Sequence, residues 1–309
     1  MNYQTTGSIE RLDPRINDLI AEDAQIEILA SGFDWSEGPL WLEDQQALIF
    51  SDVPANKIYR WSEKDSLSVF LEPSGYFGER TDKKEPGSNG LTLDRDGNLL
   101  LCQHGLRQVG RIMKPLTNPK PEYENLASEW EGKKFNSPND LVVHSNGGIY
   151  FTDPPYGLDD WDVKELDFQG VYRLMEEELT LQIDSLYRPN GVALSPDEKI
   201  LYVAQSDFEA ARYYAYDLDE NGEVIAGKIL LDVTYLLAEG KKGLPDGLKV
   251  HSSGTIFATG PGGVLVISKE GEILGTIRTG ESTANCAFDN DENYLYMTAD
   301  MHLMRIALK

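Results

Sequence analysis

Side chains that carry oxygen recur along this chain, each directly ahead of an apolar stretch. They are Glu37, Asn89, Asn139, Asn190, Asp246 and Asn285. Asn and Asp are common turn residues, but six copies in register favour a shared site over six separate turns. Carboxylate and amide oxygens suit a hard cation, whereas zinc would be expected to recruit His or Cys. The set therefore predicts a site for one divalent cation, most naturally Ca²⁺.

The elements that must position these residues are repeats of one form. Each repeat has a polar residue, an apolar run, a turn rich in Asp, Asn or Gly, and a second apolar run, as in SEGPLWLEDQQALIFSD and SPNDLVVHSNGGIYFTD. This pattern is typical of a β-hairpin. A third candidate strand follows each hairpin and a fourth often follows that, so each repeat of about 50 residues resembles a propeller blade. The sequence predicts an all-β, six-bladed β-propeller.

The two ends of the chain predict how the ring of blades closes. The last repeat has only three candidate strands before Lys309, and residues 25–33, QIEILASGF, form a strand with no blade of their own. We expect that strand to complete the sixth blade beside residues 302–308, which would remove an exposed edge. The prediction is one domain over residues 1–309, with residues 1–24 as an N-terminal extension that contains a short helix around PRINDLIAE.

The first strand of every blade lines the central channel of a propeller, so the six leading residues are predicted to form a ring at one end. A cation there explains how Glu37 can begin a buried strand, because a lone buried carboxylate is costly. A hairpin returns to its starting level, so residues about fifteen positions later should lie near the same end. Those residues are Asp52, His104, Asp153, Gln205 and Asp300.

Composition limits the partners and the compartment. A net charge of −24 argues against nucleic acid and anionic membranes, both of which need basic surface. The two cysteines, Cys102 and Cys286, are too few for a disulfide framework and favour a reducing compartment. Neither a secretory leader nor a long apolar run is visible. We expect a cytoplasmic protein with a small-molecule partner, either a monomer or a small homo-oligomer.

Five motifs in order, EGPLW, SPNDLVV, FTDPPYG, RPNGVALSPD and LPDGLKV, resemble the bacterial gluconolactonase branch of the SMP-30/gluconolactonase family. The resemblance runs from about Leu12 almost to the C-terminus and implies a metal-dependent lactonase. It implies that the metal ligands are Glu37, Asn190 and Asp246, with Asn139 as a further ligand or a contact to substrate. At Ser137 the chain departs from the animal branch, which places a substrate-binding arginine there.

The resemblance also implies a mechanism. A cation would polarise the lactone carbonyl while a carboxylate accepts a proton from the attacking water. Asp246 matches the family's proposed catalytic carboxylate, but a bound cation weakens a carboxylate as a base, so His104 is the alternative. Substrate contacts are expected from Asn89, Asn139, Asp153 and Tyr156.

Two other functions remain open on the sequence. The same ring could serve a phosphotriesterase or fluorophosphatase, which would favour an aromatic rim, whereas a sugar lactone would favour a polar one. The candidate rim residues Tyr76, Phe77, Tyr156 and Trp161 do not decide between them. A non-catalytic interaction platform would need no carboxylates in the ring, so Glu37 and Asp246 count against it.

Overall fold

The computed structural model describes residues 3–78 and 83–309, and in those ranges the strands form six antiparallel sheets of four or five strands. The chain begins with β1 (Gln4–Thr6), β2 (Ser8–Arg11), a 3-10 helix (Pro14–Asp18) and β3 (Ile26–Ser31). Blade 1 contains β4 (Ser36–Leu42), β5 (Ala47–Asp52), β6 (Lys57–Ser62) and β7 (Ser66–Leu71). Blade 2 contains β8 (Ser88–Leu93), β9 (Leu99–Gln103), β10 (Gln108–Ile112) and β11 (Glu124–Ala127).

The remaining blades follow the same plan. A small hairpin of β12 (Glu129–Trp130) and β13 (Lys133–Lys134) precedes blade 3, which contains β14 (Leu141–Val143), β15 (Ile149–Thr152), β16 (Val171–Met175) and β17 (Glu178–Ile183). Blade 4 contains β18 (Pro189–Leu194), β19 (Ile200–Gln205), β20 (Arg212–Leu218) and β21 (Val224–Asp232), and the helix α1 (Thr234–Ala238) follows it. Blade 5 contains β22 (Leu248–Val250), β23 (Ile256–Gly260), β24 (Gly263–Ile267) and β25 (Ile273–Arg278). Blade 6 contains β26 (Thr283–Phe288), β27 (Tyr294–Ala299) and β28 (His302–Ala307). The prediction of an all-β, six-bladed propeller is confirmed.

The hydrophobic core lies between neighbouring blades. Second strands such as β5 and β9 are buried along their whole length, whereas the outer strand β7 is mostly exposed. One cluster packs Ile49 and Ile58 of blade 1 against Leu91 and Leu101 of blade 2. Packing of this kind between blades fixes the position of each inner strand relative to the next.

The N-terminal residues close the ring as predicted. Strand β3 pairs antiparallel with β28, and Ile26 stands opposite Ile306. Strand β1 then adds to β3, while β2 pairs with β25 of blade 5. The expected helix is the short 3-10 helix, whose Ile16 is buried in a cluster shared by blades 5 and 6. Residues 3–31 therefore bridge the seam between the two blades.

Among the described residues, no helix has both the length and the apolar character needed to cross a membrane.

Candidate active site

Hydrogen bonds between neighbouring blades define the ring at the channel mouth. The Gly90 N–H donates to the Asn139 carbonyl at 2.7 Å, and the Gly247 N–H donates to the Ala284 carbonyl at 2.7 Å. Hydroxyl groups on the strands make a second set of hydrogen bonds to the backbone at this level. For example, Thr152 Oγ1 donates to the Asn190 carbonyl at 2.7 Å. The six positions at this level are Glu37, Asn89, Asn139, Asn190, Asp246 and Ala284.

Asn285 is therefore not a ring residue, and that prediction is wrong by one position. Its Oδ1 accepts from the Cys286 N–H at 2.9 Å, just as Asp140 Oδ1 accepts from the Leu141 N–H at 2.9 Å. Asn285 and Asp140 thus occupy the level directly below the ring. The sequence pattern aligns the sixth repeat on its asparagine, whereas the hydrogen bonds between blades align it on the preceding Ala284.

Glycine at this lower level gives the two polar side chains room to enter the channel. A Cβ atom on Gly247 would lie 2.0 Å from Asn285 Cγ, and one on Gly90 would lie 2.6 Å from Asp140 Oδ1. Asn285 Oδ1 lies 3.5 Å from the Lys249 ammonium. Asp140 and Asn285 therefore form the floor beneath the ring.

A cavity of about 410 Å³ opens above the ring. Its walls come mostly from loops, together with one residue of α1 and one of β26: Trp35, Glu85, Tyr156, Ser206, Phe208, Leu237, Lys241, Lys242, Gly243, Leu244, Ser282 and Thr283. The base comprises Glu37, Asn89, Asn139 and Asp246. Five of the predicted site residues thus line one cavity, with Tyr156 in the wall and the other four at the base.

Asn190 adjoins this cavity through Ser206. Its amide nitrogen donates to Ser206 Oγ at 3.1 Å, and Ser206 Oγ donates to the Pro245 carbonyl directly before Asp246. The amide nitrogen is held by the wall, and Oδ1 is the atom of Asn190 that could serve as a ligand to a cation. Ser206 was missed by the sequence analysis because a serine after a strand carries no signal of its own.

The two carboxylates of the ring lie in an environment that disfavours their charge. Burial raises the pKa of Glu37, although the Gly38 N–H donates to its Oε2 at 2.9 Å. Burial and the charge on Glu37 raise the pKa of Asp246 well above its usual range. No ion pair to Glu37 or Asp246 occurs within residues 3–78 and 83–309. Such a pair of charges calls for a counter-ion.

The oxygen atoms around this pair fit a hard cation. Asp246 Oδ1 and Asn89 Oδ1 are buried without a hydrogen-bond partner in the described ranges. In the same part of the chain no three His, Cys, Asp or Glu side chains come together as a metal cluster. An ion here would rest on Glu37, Asp246 and amide oxygens. That donor set matches calcium, which accepts six to eight oxygens including carbonyls.

Asp153 lies behind the wall, outside the cavity lining. Its Oδ2 accepts from the Asn136 N–H at 2.8 Å, and burial raises its pKa to about 7. Nearby, Ser137 Oγ donates to the Pro154 carbonyl at 2.6 Å and accepts from the Gly157 N–H at 2.8 Å. Asp153 and Ser137 therefore hold the loop that presents Tyr156. The position of Asp153 does not support the predicted contact with substrate.

His104 is also fully buried outside the cavity lining. Its Nδ1 lies 3.4 Å from Oε2 of Glu85, which does line the cavity. A Cβ atom on Gly157 would lie 2.4 Å from His104 Cβ, so the loop backbone packs directly on this histidine. Glu85 thus stands between His104 and the cavity, and no pattern in the sequence marks it as a site residue.

Two further residues that follow ring residues by fifteen positions, Asp52 and Gln205, anchor loops. Asp52 accepts from the backbone N–H groups of Asp34 and Trp35, and Gln205 donates to the Ala210 carbonyl at 2.8 Å. These contacts give both side chains a structural role at the channel mouth.

Comparisons with known proteins agree with the geometry. The profile of the SMP-30/Gluconolactonase/LRE-like region matches residues 35–300. The chain is 37% identical to a gluconolactonase of Zymomonas mobilis, over 100% of this chain and 88% of that protein. It is 25% identical to the pentonolactonase XacC of Haloferax volcanii, over 85% of this chain and 80% of that protein.

A solved structure has the same architecture. The gluconolactonase XC5397 of Xanthomonas campestris superposes with a TM-score of 0.85 at 30% identity, covering 99% of this chain and 96% of that one. Both the profile match and the relative with 37% identity extend through the ring and the loops that surround it. The chain belongs to the SMP-30/gluconolactonase family.

Proposed function

We propose that this protein hydrolyses a five- or six-membered sugar lactone and that the reaction depends on a divalent cation, most naturally Ca²⁺. The observation that carries the proposal is the buried pair Glu37 and Asp246 at the base of the cavity. The kinship with a gluconolactonase and a pentonolactonase supports the substrate class.

The cation would be held by Glu37, Asn190 and Asp246, with Asn139 as a fourth ligand or a contact to substrate. When bound, it would act as a Lewis acid toward the lactone carbonyl and offset the two carboxylate charges. This arrangement sums to almost no net charge, which suits a neutral lactone.

Other side chains of the cavity would bind and orient the sugar. Asn89 and Asn139 place amide groups at the base, where they can exchange hydrogen bonds with ring hydroxyls. Burial raises the pKa of the Tyr156 hydroxyl, so it remains a proton-bearing donor at neutral pH. The volume of about 410 Å³ lies within the range of small-ligand pockets.

The apolar part of the wall supports a second substrate class. Trp35, Phe208, Leu237 and Leu244 form a rim that suits an aryl or alkyl group. Because of this rim, hydrophobic lactones and aryl phosphotriesters should be tested together with sugar lactones. Of the aromatic residues considered from the sequence, Tyr156 is the one that lines the cavity.

The test is hydrolysis of glucono-1,5-lactone, corrected for its spontaneous hydrolysis, before and after EDTA treatment. We expect turnover that EDTA abolishes and calcium restores. No turnover across a panel of sugar and alkyl lactones with calcium, magnesium, manganese or zinc would overturn the enzymatic proposal. Turnover of phosphotriesters alone would assign the second class.

We also propose a cytoplasmic location. Cys102 and Cys286 are both free and buried, which accords with a reducing compartment. Fractionation of the source cells, with and without a periplasmic extraction step, tests this assignment.

A further inference from the structure

A third carboxylate faces the cavity but does not belong to the ring. Glu85 lies in the loop that leads into β8, and its side chain is 36% exposed, whereas Glu37 is 2% exposed. Asn89 is the residue that blade 2 contributes to the ring. Glu85 therefore lines the cavity from the side, where it is free of the ligand role assigned to Glu37 and Asp246.

The backbone beside Glu85 is fixed to the end of β9. The Gly105 N–H donates to the Pro86 carbonyl at 3.2 Å, and the His104 N–H donates to the Gly87 carbonyl at 3.1 Å. These two bonds begin one residue after Glu85. They fix the backbone next to Glu85 at the cavity wall.

The imidazole of His104 lies directly behind this carboxylate. His104 Nδ1 is 3.4 Å from Glu85 Oε2, and neither ring nitrogen has a hydrogen-bond partner in the described part of the chain. Catalytic hydrogen bonds are often long in a ligand-free enzyme and tighten when substrate binds. His104 Nδ1 and Glu85 Oε2 need to approach by only a few tenths of an ångström to form a hydrogen bond of ordinary length.

The two ring carboxylates are poorly suited to accept a proton once they bind a cation, because a nearby positive charge lowers the pKa of a carboxylate. Glu85 lines the cavity from outside the proposed ligand set, so it can accept a proton without giving up a contact to the cation. The ligand role and the base role then fall to different residues, whereas the sequence leaves the base open between Asp246 and His104.

We propose that Glu85 is the general base of the lactonase reaction and that His104 is its positioning residue. This inference rests on the proposed function. A water molecule forms a bond to the lactone carbonyl carbon while its proton moves to Glu85. When the tetrahedral oxyanion collapses, the bond from that carbon to the ring oxygen breaks, and the leaving ring oxygen takes the proton from Glu85. Lactone and water are thereby converted to the hydroxy acid, and Glu85 returns to its carboxylate form.

The test compares Glu85→Gln and Glu85→Ala with Glu178→Gln, an exposed glutamate on β17 of blade 3. We expect Glu85→Gln to lower kcat by about 10²–10⁴-fold, the usual effect of losing a general base, while calcium affinity by calorimetry stays close to wild type. Formate should restore part of the activity of Glu85→Ala, and Glu178→Gln should behave as wild type. Glu85→Gln with at least half of wild-type kcat, or with a loss that saturating calcium reverses, would overturn the assignment.

The role of His104 is tested by a double-mutant cycle. His104→Gln should lower kcat less than Glu85→Gln does and should cause little further loss in the Glu85→Gln background, because its effect acts through Glu85. Fully additive losses would overturn the positioning role. Throughout, a wild-type enzyme without lactone turnover would contradict the proposed function, whereas active wild type with an active Glu85→Gln contradicts only this inference.

Discussion

Asp246 is the residue whose role depends most on its surroundings. It is buried beside Glu37, and its Oδ1 lacks a hydrogen-bond partner among the described residues. It also directly follows Pro245, whose carbonyl accepts from the Ser206 hydroxyl that holds Asn190. Each feature accords with the proposed role of Asp246 as a ligand to a cation. With Glu85 available in the wall, Asp246 has no need to act as a base as well.

The substitution Asp246→Asn keeps the size and one oxygen ligand but removes a charge from the ring. We expect calcium affinity to fall and saturating calcium to recover most of kcat, because the base is elsewhere. Titration of activity with calcium measures both effects. A loss of about 10²–10⁴-fold in kcat that persists at saturating calcium would return the role of base to Asp246.

We expect Asp153 to make stability depend on pH. Its pKa is raised from 3.8 to about 7, so the folded state binds its proton more tightly than the unfolded state does. Between about pH 4 and 7 this carboxyl therefore removes stability as the pH rises. Asp153→Asn should be more stable than wild type at pH 8, by about 1–3 kcal/mol, with a smaller gain or none at pH 5. Urea unfolding at both pH values checks this, and an equal loss of stability at both would contradict it.

At the scale of elements, the first strands of the six blades depend on glycine to fit together. Gly38, Gly90, Gly191 and Gly247 follow ring residues and pack against the next blade. The two exceptions are Asp140 and Asn285, whose side chains fill the space that the neighbouring glycines leave. The floor of the site is thus a product of packing between blades.

This complementarity predicts a compensating pair of substitutions. Gly247→Ala places a Cβ atom 2.0 Å from Asn285 Cγ and should destabilise the fold by about 1–3 kcal/mol, the usual cost of overpacking. Adding Asn285→Ala removes the obstructing atoms and should recover part of that loss. Urea unfolding of both single variants and the double variant measures the coupling. Purely additive losses would show that the two residues do not compete for this space.

For the whole molecule, stability depends on closing the ring at blade 6. Strand β3 supplies the outer partner of β28, and Ile16, Ile20 and Ile26 are buried in the cluster shared by blades 5 and 6. Removing these residues would open an edge and expose part of the core at the same time.

Deletion of residues 1–33 should therefore yield a protein that unfolds or aggregates, as measured by thermal unfolding and size-exclusion chromatography. Deletion of residues 1–6 is the matched control, since it removes the mostly exposed strand β1 and the contacts of Tyr3 with Trp61 and Glu63 but keeps β3, and it should leave a folded propeller. A folded 1–33 deletion with unchanged thermal stability would contradict the closure.

The sequence by itself determined the features that repeat along the chain. Alternating apolar runs and turns specify strands locally, so the six blades, the closing strand and the ring residues from Glu37 to Asp246 were predictable. The level of Asn285 was decided only by the tertiary structure, because a shift of one residue is set by hydrogen bonds to the neighbouring blade. The tertiary structure also decided that Glu85 approaches His104 and that Asp153 accepts from the Asn136 N–H behind the cavity wall. These contacts join a loop to a strand end or to another loop, and no periodic pattern in the chain records which loops will meet.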